Sequence, residues 1–376
     1  MNRYKKWILI VFCIPLPFIL ALGILLYIYD PYQFYHKPYF RETTFIDDMR
    51  LQARAVIKFY DYNSYILGSS ILRATSAEEA NEKLGNKWAN ISIYGSKLNE
   101  RKIILDYIFS QKPETKNIIY SLDSYLLVNI PDKKVDFDFI YDQNFFNKFK
   151  IYINQKFLLC ALQYSTKCTG GNLEQISQWL NDRLDATGID LWLKHANSTT
   201  KKIIINNYIK QGANSQFKTK ENVNINNNTK YIQKYLITFF KSNPQTHFYL
   251  IIPPESRLFW RSGKVENYFD KDSGLFFSKY KTILKWFIQE TQKYPNVKIY
   301  GFDDLDFPSN LTYYVDAVHY IPKINSMQLD AIKNHTHILT PQNMDQYFKT
   351  MEEKIKNYDL NRLTEKIKKM EKYLHF

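Results

Sequence analysis

The chain has 376 residues, of which 45% are hydrophobic and 16% aromatic. This composition is sufficient for a large buried core and argues against general disorder. The length suits one large domain with insertions, or one domain with a membrane anchor. The formal net charge of +14 fits nucleic acid, anionic lipid or acidic glycan as partners, and it fits a solvated lysine-rich surface equally well.

The N-terminal segment is predicted to be an uncleaved membrane anchor. Residues 7–29 carry no charge and are long enough to cross a bilayer as a helix. Arg3, Lys5 and Lys6 precede them, so the positive-inside rule places residues 1–29 as a cytoplasmic tip and single membrane span. The remaining chain would lie on the periplasmic or extracellular side, where membrane lipid is a partner and nucleic acid is not. A cleaved signal peptide is the alternative, and the absence of an A-x-A site disfavours it.

Residues 30–60 are predicted to be a juxtamembrane segment. An amphipathic stretch covers residues 47–58. The aromatic residues that suit a membrane–water interface are Tyr32, Phe34, Tyr35, Tyr39 and Phe40.

Residues 61–340 alternate between short apolar runs and amphipathic helical patterns. The predicted strands are 64–67, 88–94, 117–122, 247–252 and 297–301. The predicted helices are 76–84, 99–111, 278–292 and 325–333. This alternation predicts an α/β fold, a doubly wound, flavodoxin-like parallel sheet of about five strands with helices on both faces.

An insertion at about residues 130–240 interrupts this rhythm. Most of it is predicted to be helical, at 173–184 and 229–240, around a polar loop at 197–228. The insertion either caps the active face or decorates the surface. Within it, Cys160 and Cys168 are predicted to form a disulfide if the compartment is oxidising. Residues 341–376 are predicted to form a C-terminal amphipathic helix that packs on the body or on a partner.

Chemically competent side chains follow the predicted strands. In open α/β sheets, ligands bind beyond the carboxyl ends of the strands. Ser70 follows the first strand, Gly95 the second, Asp123 the third, and Asp316 and His319 the fifth. A serine needs a base to take its proton, and a histidine three residues after an aspartate supplies that base and the group that orients it.

These blocks resemble the SGNH (GDSL-like) hydrolase superfamily. Its first block places the nucleophilic serine third, which corresponds to Ser70 in Gly68-Ser69-Ser70, with Ser69 as the alternative nucleophile. Its last block, Asp-x-x-His, corresponds to Asp316 and His319. The context at 313–322, with Asn325 after it, is similar to a membrane-anchored bacterial subgroup, the DltD and AlgJ/AlgX-type proteins of cell-envelope acylation. The resemblance spans roughly residues 64–325, interrupted by the insertion.

The resemblance implies roles for the candidate residues. Ser70 would be the nucleophile, His319 the base and Asp316 its orienting partner, while the N–H groups of Ser70 and Gly95 would receive the oxyanion. No cofactor and no metal are implied. The implied partners are an envelope polysaccharide or acylated glycan and a membrane-bound O-acyltransferase.

Two residues depart from this simple picture. The family's third block usually provides an asparagine that donates to the oxyanion, whereas this chain has Asp123 at that place. An ionised Asp123 would repel an oxyanion. The carboxyl would have to be protonated or turned away, or Ser124 would have to act as the donor in its place. Asp123 is alternatively a helix N-cap. Arg73, one turn after Ser70, is predicted either to bind a substrate anion or to form a surface salt bridge. His195 and His247 have no sequence neighbours of catalytic type and are predicted to be structural.

The sequence thus predicts an exported, membrane-anchored serine esterase or O-acyltransferase acting on acyl groups, in particular acetyl groups, of an envelope polysaccharide. One alternative is a degenerate SGNH-like accessory protein of an acylation or assembly machine, which the departure at Asp123 favours. The other is a lipase or thioesterase, which the aromatic juxtamembrane segment permits.

Overall fold

A six-stranded sheet forms the centre of the computed structural model. The model describes residues 3–130, 135–142, 144, 147, 149–163, 168, 170–178, 180, 187–195, 217–262 and 273–373. The strands are β1 (Ser64–Leu67), β2 (Trp88–Asn90), β3 (Asn117–Ser121), β4 (His247–Ile251), β5 (Val297–Tyr300) and β6 (Ile338–Leu339). Their order is β2-β1-β3-β4-β5-β6. The first five strands are parallel and β6 is antiparallel to β5. The predicted α/β class with a flavodoxin-like strand order is confirmed.

Helices cover both faces of the sheet. Alternate residues of a strand point to opposite faces, so Tyr65 and Leu67 join the core cluster beneath the helix Leu98–Gln111, whereas Ile66 joins the cluster beneath Ala77–Leu84 and Pro322–Asn334. All residues of β1 and β3 are buried. Strands covered on both faces are continuous apolar runs in the sequence, which is why the pattern located them.

The strands and helices predicted within residues 61–340, outside the insertion, all occur, with small shifts at their ends. The strand predicted at 88–94 ends at Asn90, although the N–H groups of Ile91 and Ile93 still donate to β1 and Gly68 carbonyls. Strand β6 was not predicted, because a strand of two residues is too short to show a periodic pattern. The α-helices of the described residues are Arg3–Cys13, Pro15–Tyr29, Met49–Phe59, Ser70–Arg73, Ala77–Leu84, Leu98–Gln111, Ser124–Val128, Gln155–Leu162, Leu173–Ser177, Gly188–His195, Asn226–Ile232, Thr238–Ser242, Arg257–Ser262, Ser273–Thr291, Pro322–Asn334, Met344–Lys356 and Leu360–Tyr373. A π-helix, Gln233–Ile237, joins Asn226–Ile232 to Thr238–Ser242.

Near the N-terminus, the helices Arg3–Cys13 and Pro15–Tyr29 follow each other directly. Residues 4–29 are long and apolar enough to cross a membrane, by length and composition. The prediction that five aromatic residues face a membrane interface is wrong for two of them. Tyr39 and Phe40 are exposed, but Tyr32 and Phe34 are buried, because the carboxylate of Asp30 draws the following backbone onto the body through the N–H groups of Phe34 and Tyr35.

The insertion and the C-terminal tail differ from their predicted outlines. The helix predicted at 173–184 ends at Ser177, and the polar loop ends earlier than predicted because a helix begins at Asn226. Residues 197–216 of that loop lie outside the described residues. Cys160 and Cys168 are joined by a disulfide. The tail contains two helices in place of one, Met344–Lys356 and Leu360–Tyr373.

Candidate active site

Ser70 meets the pair Asp316 and His319, which is far from it in sequence, beyond the carboxyl ends of the strands. The hydroxyl oxygen of Ser70 lies 2.7 Å from Nε2 of His319. On the other side of the ring, Nδ1 of His319 lies 2.7 Å from Oδ2 of Asp316. The predicted nucleophile, base and orienting carboxylate therefore form one continuous chain of hydrogen bonds, which is the geometry that activates a serine.

Ser70 owes its position to a sharp passage from β1 into the helix Ser70–Arg73. Gly68 makes this possible, because a Cβ there would lie 2.8 Å from both Leu72 Cβ and Ser121 Oγ. Ser69 occupies the N-cap, and its hydroxyl accepts from the N–H of Ile71 at 3.3 Å. Ser70 begins the helix and is half-buried, with its hydroxyl free to reach His319.

The side chain of Ser69 is committed elsewhere. Its hydroxyl donates to Oδ1 of Asp123 at 2.5 Å. Ser69, the alternative nucleophile, therefore faces a carboxylate, whereas His319 contacts Ser70.

The loop that carries Asp316 and His319 is a tight turn, stabilised by hydrogen bonds within the turn and by one from a neighbouring segment. The Oδ1 atom of Asp316 accepts from the N–H groups of Val318 at 2.9 Å and His319 at 2.8 Å. The segment after β4 supports the turn, since Ser256 Oγ donates to the Ala317 carbonyl at 2.6 Å.

Two buried asparagines fix the short helix that begins at Ser70. The Nδ2 atom of Asn90 donates to the carbonyls of Leu72, Arg73 and Thr75 at 2.8, 3.1 and 2.8 Å. From the opposite side, Nδ2 of Asn325 donates to the Ile71 carbonyl at 3.1 Å. Asn325 stands in the helix that follows His319, so it links the two halves of the site directly.

Asp316 stays ionised in this arrangement. Burial alone would raise the pKa of its carboxyl, but the charge of His319 and the hydrogen bonds from its ring and backbone hold that pKa below its ordinary value. An ionised carboxylate fixes the tautomer of His319 and stabilises the imidazolium that forms when the serine proton arrives. The side chains of His319 and Asp316 are 19% and 48% exposed, so the pair opens to solvent on one side.

Gly95 lies in the loop that follows β2. Its φ of +57° lies in the left-handed region that favours glycine. The loop is fastened beside Ser70, because the N–H of Ile93 and the hydroxyl of Ser96 both donate to the carbonyl of Gly68, at 2.9 and 3.2 Å. The loop that carries Gly95 is therefore tied to the turn that directly precedes Ser69 and Ser70.

Asp123 is turned away from an oxyanion position by a buried ion pair. Its Oδ2 lies 2.6 Å from Nη2 of Arg101, a side chain with no exposed surface. The charge of Asp123 raises the pKa of Arg101 above its ordinary value against the opposing effect of burial. Asp123 stands at the N-cap of Ser124–Val128, but its side chain accepts no capping bond.

Ser124 does not replace the missing asparagine either. Its hydroxyl donates to Oε1 of Glu255 at 2.6 Å. Neither side chain that sequence reasoning offered as an oxyanion donor at this strand end is therefore free for that role.

Arg73 forms the predicted salt bridge, with the exposed carboxylate of Asp47, but the arginine itself is buried and does not lie on the surface. Its side chain is 1% exposed. Its guanidinium donates to the Ser92 carbonyl at 2.9 Å and to the Ile176 carbonyl at 3.2 Å, and it pairs with Asp47. It thus joins the first helix of the site to the segment 30–60 and to the insertion.

His247 lies apart from the site. His247 begins β4, at the amino edge of the sheet, and the side chain of His195 lies outside the described residues. Within the described part of the chain, no group of three or more His, Cys, Asp or Glu residues is placed to hold a metal ion.

Sequence reasoning missed the charged groups beneath the site, Arg101 and Glu255. Arg101 had a detectable signal, because it stands three residues before Ile104 on the buried face of its helix. A charge on such a face requires a partner.

Comparisons with known proteins leave the family open. No family model matches the chain, and no curated protein matches it. A solved structure from Streptococcus pneumonia, provisionally assigned as a platelet activating factor, aligns with 76% of this chain and 90% of its own at 11% identity and a TM-score of 0.37. At that score the likeness carries no argument about function.

Replacing Asp123 by the asparagine typical of the resembling family tests its structural role. We expect Asp123→Asn to lower the free energy of unfolding by about 3–5 kcal/mol, because it leaves the buried charge of Arg101 unpaired. Chemical denaturation of the full chain in detergent measures this. Asp106→Asn, which breaks the exposed pair with Lys102, is the control and should cost about 0–1 kcal/mol. Equal effects of the two substitutions would contradict the role assigned to Asp123.

Asp303, in the segment that follows β5, is a buried acid. Burial raises the pKa of Asp303 from 3.8 to about 7, against the opposing effects of Arg257 and Tyr347. Between these two values the folded chain keeps a proton that the unfolded chain releases, so stability falls as pH rises from about 4 to about 7 and is level above.

Removing this carboxyl should flatten the pH dependence. Between about pH 4 and pH 7, the free energy of unfolding should fall less in Asp303→Asn than in the parent. We expect the difference between the two falls to reach up to about 4 kcal/mol. Urea denaturation at a series of pH values measures the slope. Asp345→Asn, at an exposed position, should keep the parent slope. Parallel curves for parent and Asp303→Asn would refute the assignment.

Proposed function

We propose that this protein is a serine esterase or O-acyltransferase of the SGNH type. The observation that carries the proposal is the Ser70–His319–Asp316 chain, with 2.7 Å at each of its two contacts. The order of the three residues along the sequence and their place beyond the strand ends agree with the resemblance of Gly68-Ser69-Ser70 and Asp316-x-x-His319 to that superfamily.

The proposed reaction has two halves. Ser70 Oγ attacks an ester carbonyl carbon while His319 Nε2 takes the hydroxyl proton and Asp316 stabilises the imidazolium. The backbone N–H groups of Ser70 and Gly95 receive the oxyanion. When the intermediate collapses, the leaving alcohol takes the proton from His319 and the acyl group stays on Ser70. Water or a sugar hydroxyl then gives its proton to His319 as its oxygen attacks the acyl carbon. When this second intermediate collapses, the bond between the acyl carbon and Ser70 Oγ breaks, and His319 returns the proton to Ser70 Oγ.

The oxyanion site of this scheme has fewer donors than the resembling family uses. Asp123 pairs with Arg101 and Ser124 with Glu255, so the two backbone N–H groups act without a side-chain donor from β3. Loss of one oxyanion donor costs about two to three orders of magnitude in kcat in a serine protease. We therefore expect slow turnover.

We place the catalytic domain outside the cytoplasmic membrane, on the periplasmic or extracellular side. The apolar N-terminal helix with basic residues before it supports this placement, and so does the disulfide between Cys160 and Cys168. The resemblance to envelope acylation proteins favours acetyl groups on an envelope polysaccharide as the substrate, with a membrane-bound O-acyltransferase as a partner.

A lipid esterase is the second candidate, and one observation favours it. A groove of about 520 Å³ runs between the juxtamembrane segment and the helix Gln155–Leu162, with Tyr32, Leu159 and Tyr94 in its lining. Tyr94 directly precedes Gly95, so an apolar chain lying in this groove would approach the oxyanion site.

The nucleophile is tested by covalent labelling. We expect a fluorophosphonate probe to label Ser70 of the full chain, and Ser70→Ala to abolish labelling and to lower hydrolysis of an aryl acetate by at least about three orders of magnitude. Ser69→Ala is the matched control and should keep the label on Ser70. An unlabelled parent chain would favour the degenerate accessory protein, and a label that persists in Ser70→Ala would exclude Ser70.

A series of aryl esters with increasing acyl length separates the two substrate classes. A polysaccharide acetylesterase should prefer acetate and lose kcat/KM as the chain lengthens, because its acyl site is small. A lipid esterase should gain kcat/KM with each methylene buried in the groove, at about 0.8 kcal/mol each. A preference for long chains would overturn the acetyl assignment.

A further inference from the structure

We propose that the globular part of the chain rests on the surface of a phospholipid bilayer, through an apolar face around the exit of the N-terminal helix. We call this surface the exit face and define it by Tyr39, Phe40, Phe149, Ile153, Leu159 and Leu162. This goes beyond anchoring by the helix, because it gives the domain a second membrane contact of its own.

The exit face concentrates the exposed apolar side chains of the domain. Within the described residues beyond the N-terminal helix, the exposed large hydrophobic side chains are these six and Ile130. Phe40 and Ile153 are 77% and 79% exposed. Soluble surfaces scatter such residues, whereas a contiguous group marks an interaction site.

The helix Gln155–Leu162 shows the same property within one element. It buries Phe157, Cys160 and Ala161 against the core, so its inward side is satisfied. Leu159 and Leu162 stand on its outer side, 48% and 53% exposed. Core packing explains why the three buried side chains are apolar, but it does not explain why the two exposed ones are.

Aromatic contacts join both parts of the exit face to the helix exit. The rings of Tyr35 and Tyr152 stack with centroids 5.6 Å apart. The rings of Tyr27 and Tyr35 lie 5.4 Å apart, and the ring of His36 stacks on Tyr39 at 4.1 Å. The two segments that expose apolar side chains therefore both border the last turns of the helix.

The exit itself is rigid. Leu26, in the last turn of the helix, is buried against the domain. The carboxylate of Asp30 accepts from the N–H groups of Phe34 at 2.8 Å and Tyr35 at 2.6 Å. The guanidinium of Arg41 donates to the Asp30 carbonyl at 3.0 Å. A bilayer that holds the helix consequently brings the exit face to its own surface.

Position and charge favour lipid as the occupant. Lys37, Lys150 and Lys156 are exposed beside the apolar residues. The acids nearby are the exposed Glu42 and Asp47, and Asp48, whose carboxylate lies 3.8 Å from Lys156. Lysines with apolar stems that border exposed aromatic and aliphatic side chains match a headgroup region, where phosphates meet the cations and acyl chains meet the apolar groups.

The test uses the full chain reconstituted in nanodiscs of zwitterionic and anionic phospholipid. Two variants, Ile153→Cys and Leu162→Cys, are made in a Cys13→Ser background, and each carries a bimane probe on its introduced cysteine. Cys160 and Cys168 do not react with the probe, because they are joined in a disulfide. Both replaced side chains are exposed, so the core stays intact. Lipids with a shallow doxyl group serve as quenchers.

We expect loss of bimane fluorescence at positions 153 and 162 as doxyl lipid replaces unlabelled lipid. The control Gln346→Cys, on the helix beside β5 and β6 at the far edge of the sheet, should keep its fluorescence. Tyr27→Cys, on the apolar helix, should be quenched and reports insertion. Quenching at 27 with none at 153 and 162 would overturn the proposal. Energy transfer between labelled copies without lipid quenching would overturn it too, and would assign the exit face to a second copy of the chain.

Discussion

The ion pair between Arg101 and Asp123 is the contact on which the geometry of the candidate site depends. Both side chains are buried, and removing one would leave the other charged in an apolar interior, at a cost of several kcal/mol. The pair is completed by hydroxyl groups, since Ser121 and Ser69 both donate to Asp123. Through Ser69, this network sets the turn from β1 into its helix, and so it points the hydroxyl of Ser70 toward His319.

Much of the fold and the local part of the site could be predicted from sequence. The buried parallel strands are apolar runs without polar interruption, and the crossover helices show a 3.6-residue pattern, so β1, β3 and β4 appeared at nearly their observed positions. Asp316 and His319 were recognisable because three residues suffice to build their turn. Ser70 was recognisable because a glycine and two serines follow an apolar strand.

The rest depends on contacts between distant segments, which a single sequence does not encode locally. Spacing suggested that Arg73 faced outward, yet its guanidinium meets Ser92, Asp47 and Ile176 from three separate segments. The departure at Asp123 from the family pattern looked like a defect in an oxyanion site until Arg101 supplied its partner. The two-residue strand β6 is specified by its neighbour β5 rather than by any propensity of its own.

The stiff joint at Asp30 has a consequence for reach. A domain on a flexible tether samples many heights and angles, whereas the hydrogen bonds of Asp30 hold this domain in one orientation relative to its N-terminal helix. In the proposed arrangement, with that helix in a membrane and Ser70 acting on an ester, the ester must be presented at one fixed distance from the bilayer. The geometry of the substrate would then contribute to selection alongside its chemistry.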